Sequence, residues 1–313
     1  MGQEAFDQFQ IYADSASDAY TQMCGYINKL GKPVAARGEP TLEVMNVSCL
    51  IKNPRDRIIP IDNFNEGFIL QETYDILNEN PPRVAHSKEM LEKTMGTSSN
   101  IMFFGNELRQ ACSRWSLRRI VDCFVEDINT RKAVLDLSNR RPVVHTPCLL
   151  YAHFIVRDKR LHLTVETRGT AVSMGFINDI YFFTLLQEFM LGWLQEYYSE
   201  LQIGHFLYKT CSLHAYVDNY NEPLWNQNFK KEMLRTMPQL SGQYTLNYEK
   251  WLSEMGKLYW AVDEFMKAKQ YENIDKGDIT TWSDIKEKSF CTTELFKYWN
   301  KKLYDYFKSR QNK

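Results

Sequence analysis

The sequence predicts an α+β fold, because strand-like segments are concentrated in the middle of the chain and helix-like segments surround them. The strand-like segments alternate apolar and polar residues and contain many β-branched residues. The helix-like segments repeat their apolar residues at helical spacing. With 313 residues, 44% of them apolar, the chain is long enough to bury one large core.

The first part of the chain mixes helical and extended patterns. Its predicted elements are a helix over 3–30 that ends near Gly31-Lys32-Pro33, a strand over 41–52, a turn over 53–57, a helix over 66–79 that stops before Pro81-Pro82, and a helix over 106–127.

The middle of the chain is dominated by strands, and the last part is predicted to be helical. The predicted elements are strands over 132–138, 148–157 and 160–168, a long buried helix over 178–199 and a strand over 206–216. Arg157-Asp158-Lys159 is a tight connection that predicts a hairpin. From residue 225 onward the chain is rich in Lys, Tyr and Trp, which predicts amphipathic helices. We therefore expect a domain over 1–224 and a C-terminal helical extension over 225–313.

Composition argues against several classes of protein. The net charge of −1 gives no overall attraction to a nucleic acid polymer, and no apolar run is long enough to span a membrane. The seven cysteines include no CxxC pair, and the six histidines show no HxH or HExxH spacing, so no metal site is predicted. Free thiols and a polar N-terminus favour a cytoplasmic protein.

Several short segments occur in a particular order between residues 131 and 216. They are Arg131-Lys132, Pro147-Cys148, IVRDKRLHLTVETRG, GFIND (175–179) and SLHAY (212–216). In order and spacing they resemble the thymidylate synthase superfamily, most closely its pyrimidine nucleotide (CMP/dCMP) hydroxymethylase branch. Upstream, RGEPTLEVMNVSCLIKNPRDRIIP resembles the N-terminal arginine loop and first strand of that family. The resemblance implies a mixed sheet packed by helices, with residues 1–224 as the catalytic domain.

The resemblance also implies transfer of a one-carbon group to C5 of a pyrimidine nucleotide. C5 is a poor nucleophile in an aromatic ring, and a thiolate that adds at C6 makes it enamine-like. Cys148 matches this nucleophile. Arg168 matches a residue that would favour the thiolate and bind phosphate, and Glu72, in LQETYDIL, falls at the position of the family's catalytic glutamate.

The family's phosphate ligands come from two subunits of a homodimer. Arg37 and Arg168 match the ligands from one subunit, and Arg131 and Lys132 match the pair donated by the other. The family usually has two arginines in that pair. Because lysine binds phosphate as a point charge, the phosphate geometry is expected to differ here.

His214 and Tyr216 match the pair that contacts the sugar hydroxyl in the family. They lie two apart, so on a strand both side chains point to the same face. Gly169 stands where most relatives have serine, and the loss of that side chain leaves room for a ribose 2′-hydroxyl. Together with Lys132, this departure favours CMP slightly over dCMP, and both substrates stay open.

Asp179 falls where members that act on uracil have asparagine, and the cytosine-specific hydroxymethylases have aspartate. A carboxylate accepts from the N4 amino group of cytosine, whereas an amide matches uracil N3–H and O4. Asn178 lies one residue away, and a shift of one residue in the alignment would restore the uracil interpretation. The spacing of GFIND favours Asp179.

Two departures weaken the expected cofactor, 5,10-methylenetetrahydrofolate. The family aspartate that contacts the pterin falls at Ala171, and the tyrosine associated with proton removal at C5 falls at Phe104. The leading hypothesis is hydroxymethylation of CMP or dCMP through a Cys148–C6 adduct. The alternatives are a dUMP-directed thymidylate synthase or hydroxymethylase, and a folate-independent nucleotide-binding homologue.

Overall fold

The computed structural model describes residues 8–36, 38–59, 73, 76, 111–138 and 147–217. Within them the chain has an α+β fold built on one mixed sheet of eight strands, as the sequence predicts. The whole chain divides into two units, Met1–Phe64 with Gln110–Thr245 and Asn65–Arg109 with Leu246–Lys313. The sheet and the helices that pack on it belong to the first unit. The predicted boundary at 224/225 and the C-terminal extension lie outside the described residues.

In the described part of the first unit, strands outnumber helices. In chain order they are β1 (Phe9–Ala13), α1 (Ala16–Leu30), β2 (Lys32–Ala36), β3 (Glu39–Ile51), α2 (Arg114–Glu126), β4 (Val134–Asp136), β5 (Leu149–Arg157), β6 (Arg160–Thr167), β7 (Thr170–Ala171), α3 (Gly175–Leu194) and β8 (Gln202–Tyr216). The sheet order is β1-β3-β8-β6-β5-β4, with β2 paired to β3 and β7 paired to β8.

The prediction of one helix over 3–30 is wrong at its N-terminal end. Residues Phe9–Ala13 form β1, which pairs in parallel with Val47–Ile51 of β3. The helix starts only at Ala16, where the Ser15 side chain caps it by accepting a hydrogen bond from the Asp18 N–H. Long-range pairing with β3 therefore overrides the local helical pattern over the first residues.

Other predicted boundaries shift by a few residues. Within the helix predicted over 106–127, Ala111 is helical and, after an interruption at Cys112 and Ser113, α2 starts at Arg114. Residues 106–110 lie outside the described part. The helix predicted over 178–199 is α3, which starts at Gly175 and ends at Leu194. Of the helix predicted over 66–79, only Thr73 and Ile76 are described, and both are helical.

The predicted hairpin is confirmed between β5 and β6. Arg157 pairs with Arg160, and the two residues between them, Asp158 and Lys159, both have positive φ, of 50° and 57°. Two successive positive φ angles form the turn whose twist matches that of antiparallel strands. β6 then runs parallel to β8, so the start of β5, the end of β6 and the end of β8 lie at one edge of the sheet. We call this edge the site edge.

Helices α1 and α3 pack on the same face of the sheet. Cys49 of β3 lies near Asp18 of α1 and is paired with Tyr208 of β8, which contacts Phe176 of α3. Paired residues of antiparallel strands point to the same face, so both helices cover it. Helix α3 is apolar on nearly all sides and buried along most of its length, as expected of a helix in the core.

A buried ion pair network ties the segment after β3 to α3. Glu188 of α3 accepts hydrogen bonds from Arg57 and, at 2.7 Å, from Nε of Arg55, while Nε of Arg57 donates to Thr184 at 3.1 Å. Arg57 is only 1% exposed. Buried charges persist in proteins when they are paired in this way, so the network fixes α3 against the sheet.

Candidate active site

Cys148 and Arg168 lie side by side at the site edge. Cys148 directly precedes β5, and Arg168 directly follows β6. The backbone N–H of Arg168 donates to the carbonyl of Cys148 at 2.8 Å, and Nε of Arg168 donates to the carbonyl of Pro147 at 3.0 Å. Cys148 is half-buried and is not in a disulfide. The backbone contact fixes the two residues side by side, and the Nε contact places the arginine guanidinium beside the peptide bond that precedes the predicted nucleophile.

Gly169 continues this edge toward β8. A Cβ atom built on Gly169 would lie 3.4 Å from Cβ of Ser212, which is an ordinary contact distance. Gly169 therefore leaves open the space beside Ser212 that a side chain would occupy. Because the contact is not a clash, alanine at this position is expected to fit.

His214 and Tyr216 project from β8 at the same edge. Their rings meet edge to face, with centroids 5.5 Å apart. The carbonyl of His214 accepts from the Val172 N–H at 2.9 Å, and Ala171 of β7 is its paired neighbour, so the backbone of His214 is fixed on this side. The predicted pair thus lies on one strand beside Gly169 and β7.

Two further side chains join His214. The Ser212 hydroxyl donates a hydrogen bond to Glu43 of β3, and its oxygen lies 3.2 Å from Nδ1 of His214. Glu43 is also the residue directly paired with His214 across β3 and β8. All three side chains are half-buried.

Asp179 lies near the N-terminal end of α3 and bonds to β8. The Tyr208 phenol donates a 2.6 Å hydrogen bond to Oδ2 of Asp179. Burial raises the pKa of the Asp179 carboxyl to about 7, although the Tyr208 hydrogen bond acts in the opposite direction. Burial, followed by the neighbouring carboxylate, raises the pKa of the Tyr208 phenol well above its usual value. Asp179 therefore changes charge near neutral pH.

Arg131 and Lys132 do not join the site edge within one chain. Both are exposed and lie between α2 and β4. The next residue, Ala133, accepts a hydrogen bond from the Phe154 N–H, six residues beyond Cys148 on β5. At the rise of a β-strand this is about 20 Å from the thiol. The basic pair reaches a Cys148 site only if that site belongs to another subunit.

Three predicted positions cannot be placed. Arg37, Glu72 and Phe104 lie outside the described residues, and their roles stay predictions. Ala171, at the family's pterin-binding aspartate, is half-buried on β7 beside His214 and offers only a methyl group there. The described residues therefore do not fit the family's contact with folate at this position.

Glu43, Ser212 and Tyr208 are the site residues that sequence reasoning missed. A signal for Ser212 was present, because Ser212, His214 and Tyr216 occupy alternate positions of one strand and so share a face. Tyr208 gave no such signal, because the buried side of the strand changes from even-numbered to odd-numbered residues between Thr210 and Leu213. Glu43 gave no such signal. Its role depends on the register between β3 and β8, which the sequence does not specify.

Among the described residues, no cluster of three or more His, Cys, Asp or Glu could hold a metal ion. The described helices include none with the length and apolar character needed to cross a membrane. No family model matches the chain, and no curated protein is significantly similar to it. The functional interpretation therefore rests on the residues and their geometry.

Proposed function

We propose that this chain hydroxymethylates C5 of a cytosine nucleotide, CMP or dCMP, as a member of the thymidylate synthase superfamily. The observation that carries the proposal is the pair of hydrogen bonds from Arg168 to the Pro147-Cys148 segment. The Nε contact brings the guanidinium to the carbonyl that directly precedes Cys148, and a nearby guanidinium favours a reactive thiolate. Cys112 provides a contrast, because it is fully buried and burial raises the pKa of its thiol to about 12.

The proposed reaction uses Cys148 as a covalent catalyst. Its thiolate adds to C6, and C5 then attacks a one-carbon donor at the oxidation level of formaldehyde. Loss of the C5 proton and of the carrier leaves an exocyclic methylene group on the ring. Water adds to this group, with Glu72 as the residue proposed to orient it, and departure of the thiolate restores the aromatic ring with a hydroxymethyl group at C5.

Arg168, His214 and Tyr216 supply the proposed binding groups for the nucleotide. The guanidinium of Arg168 offers the donor fork that suits a phosphate. His214 and Tyr216 present adjacent polar tips from one face of β8 for the sugar. Arg37 is the second proposed phosphate ligand, and Arg131 and Lys132 are proposed to complete the site from the other subunit of a homodimer.

The contact between Tyr208 and Asp179 supports cytosine as the base. Because Tyr208 already donates to Oδ2, Oδ1 is the oxygen left to meet a ligand. When the carboxyl is ionised, Oδ1 accepts from the N4 amino group of cytosine but faces uracil O4 with no proton between them. An unpaired buried polar group costs about 1–3 kcal/mol, so the ionised form favours cytosine.

A second candidate substrate is a uracil nucleotide, and the pKa of Asp179 favours it. With a pKa of about 7, the carboxyl is protonated in part of the molecules at neutral pH. A proton on Oδ1 turns this oxygen into a donor that suits uracil O4. The dUMP-directed reaction is therefore retained as the alternative.

One experiment separates these substrates. The protein is incubated with CMP, dCMP, UMP and dUMP in turn, with and without 5,10-methylenetetrahydrofolate, and the products are examined by mass spectrometry. We expect the mass of one CH₂O unit to be added to a cytosine nucleotide. A methyl group added to dUMP would establish the alternative, and no covalent change to any nucleotide would contradict both.

A further inference from the structure

Glu43, Ser212 and His214 form a chain of hydrogen-bonding groups that connects β3 to the site edge. Ser212 donates to Oε1 of Glu43, and its oxygen lies 3.2 Å from Nδ1 of His214. Because Glu43 and His214 are paired across the two strands, all three side chains point to the same face of the sheet. His214, the third member, is the histidine proposed to contact the sugar.

When the Glu43 carboxylate is ionised, the donor and the acceptor in each of these two hydrogen bonds are determined. An ionised carboxylate can only accept, so the single hydroxyl proton of Ser212 points to Glu43. The Ser212 oxygen can then only accept from His214, which requires a proton on Nδ1. In a neutral imidazole the other nitrogen, Nε2, is then the acceptor.

We propose that Glu43 is a positioning residue that acts through Ser212 to hold His214 in the Nδ1–H tautomer, so that Nε2 accepts a hydrogen bond from a sugar hydroxyl. The choice of a sugar as ligand rests on the proposed function. The tautomer itself does not, because it follows from contacts within the chain. A furanose hydroxyl, which has one proton to donate, is the ligand chemistry that this acceptor suits.

Glu43 acts on the imidazole ring of His214 and not on its backbone. The backbone of His214 is already held by Val172 of the segment after β7. Gly169 leaves Ser212 uncrowded, since even an added Cβ would only reach contact distance. Replacing Glu43 with glutamine keeps the shape but introduces a donor. The amide can then bond to the Ser212 oxygen and turn its hydroxyl toward Nδ1, which favours the opposite tautomer.

The tautomer is measured directly by ¹⁵N NMR of histidine-labelled protein, through the two-bond couplings between ring protons and ring nitrogens. The chain has six histidines, and the His214 signals are assigned by their loss in His214→Asn. We expect Nδ1–H in the wild type, retained in Ser212→Thr, which keeps the hydroxyl. We expect a shift toward Nε2–H in Glu43→Gln and loss of a fixed tautomer in Ser212→Ala.

Glu39→Gln is the matched control, because Glu39 is an exposed carboxylate on the same strand. It should leave the His214 signals unchanged. A wild-type protein with Nε2–H, or a Glu43→Gln variant with an unchanged tautomer, would overturn the proposal. Circular dichroism of each variant shows that a change of tautomer does not come from loss of the fold.

Calorimetric titration with CMP and dCMP tests the sugar contact separately. We expect Glu43→Gln and Ser212→Ala to weaken binding about five- to tenfold, the effect of one lost hydrogen bond, while Ser212→Thr and Glu39→Gln bind like the wild type. Binding that is equally tight in Glu43→Gln would overturn the role in positioning. If the tautomer responds as expected but no nucleotide binds to the wild type, the proposed function fails. The positioning of His214 by Glu43 through Ser212 would then still be supported.

Discussion

The Tyr208 phenol donates a 2.6 Å hydrogen bond to Oδ2 of Asp179, joining β8 to the first turns of α3. Tyr208 is fully buried, and burial also raises the pKa of Asp179 to about 7. Oδ2 is thus hydrogen-bonded to Tyr208, while the carboxyl gains or loses its proton near neutral pH. This arrangement has consequences for stability and for the choice of base.

Protein stability should depend on pH through Asp179. The pKa of this carboxyl rises from 3.8 to about 7 on folding, so between these values the folded protein holds a proton that the unfolded chain has released. The stabilisation is complete below the lower value and is lost as the pH rises to the upper one. The free energy of unfolding of the wild type, relative to Asp179→Asn, should therefore decrease with rising pH, by at most about 1.4 kcal/mol per pH unit.

Urea unfolding followed by tryptophan fluorescence, repeated across this pH range, checks the expectation. Asp158→Asn is the matched control, because it makes the same change from carboxyl to amide at an exposed turn position. A difference between wild type and Asp179→Asn that stays constant over the range would show that Asp179 ionises in the same way in the folded and unfolded chain.

The network around Glu188 should be needed for stability. Glu188→Gln removes the charge that pairs with both Arg55 and Arg57, and Arg57 would stay buried without its hydrogen-bonded counter-charge. Breaking one partner out of a buried pair costs about 3–5 kcal/mol. Asp14→Asn is the control, since the Lys52–Asp14 pair has side chains that are 57% and 81% exposed and should leave the unfolding midpoint nearly unchanged. Equal midpoints for the two variants would contradict the structural role of Glu188.

The sequence predicts the central strands well because their pattern is local. β5 and β6 fall within one residue of the predicted 148–157 and 160–168, since strict alternation and a two-residue turn define them. The local pattern fails at residues 9–13 because their extended form depends on pairing with Val47–Ile51, which is distant in sequence. Helix α3 ends before its apolar pattern does, where the Tyr197 N–H bonds to Leu194 in a tighter turn.

Prediction of the site meets the same limit. The proximity of Cys148 and Arg168 follows from a hairpin that is visible in the sequence. The partners Glu43 and Tyr208 become visible only with the strand register and the packing of α3 on the sheet. Neither depends on a local pattern, so neither could be read from residue spacing.

Cys148→Ala should abolish turnover while nucleotide binding survives. The thiolate forms its bond to C6 only along the reaction path, so its loss should affect the rate rather than the affinity. Exchange of the C5 hydrogen of CMP or dCMP with deuterium from solvent, followed by NMR, measures this addition without any one-carbon donor. Cys211→Ala, which removes an exposed thiol from β8, is the control and should exchange normally. Exchange at the wild-type rate in Cys148→Ala would contradict the mechanism.

Arg131 should act in the site of the other subunit. The segment that carries Arg131 is bonded to β5 at Phe154, and the rise of a strand puts Phe154 about 20 Å from the Cys148 thiol of the same chain. Mixing Cys148→Ala with Arg131→Ala subunits should therefore restore activity, because each mixed dimer has one site with both residues intact. At random pairing this amounts to about a quarter of the wild-type activity. Mixing Cys148→Ala with the double variant is the control and should restore none. A fully active monomer in sedimentation would contradict the shared site.

Base choice should depend on Asp179 and on pH. Above its pKa of about 7 the carboxylate accepts from cytosine N4 and repels uracil O4, so cytosine nucleotides should be preferred by about an order of magnitude or more in kcat/KM. Below that pH the protonated Oδ1 can donate to O4, and the preference should narrow. Tyr208→Phe removes the hydrogen bond to Oδ2, so Oδ2 can carry the proton instead of Oδ1. The pH at which the preference changes should therefore move.

Asp179→Asn should remove this pH dependence and turn the preference toward uracil, because an amide donates to O4 and accepts from N3–H at every pH in the range. The measurement is kcat/KM for CMP, dCMP, UMP and dUMP in direct competition at pH values on both sides of the Asp179 pKa. Asn178→Asp is the control for a shift of one residue in the assignment, and it should leave the wild-type preference intact. If the wild type uses dUMP or UMP as well as the cytosine nucleotides when Asp179 is ionised, the carboxylate does not meet the base, and the uracil-directed reaction becomes the better interpretation.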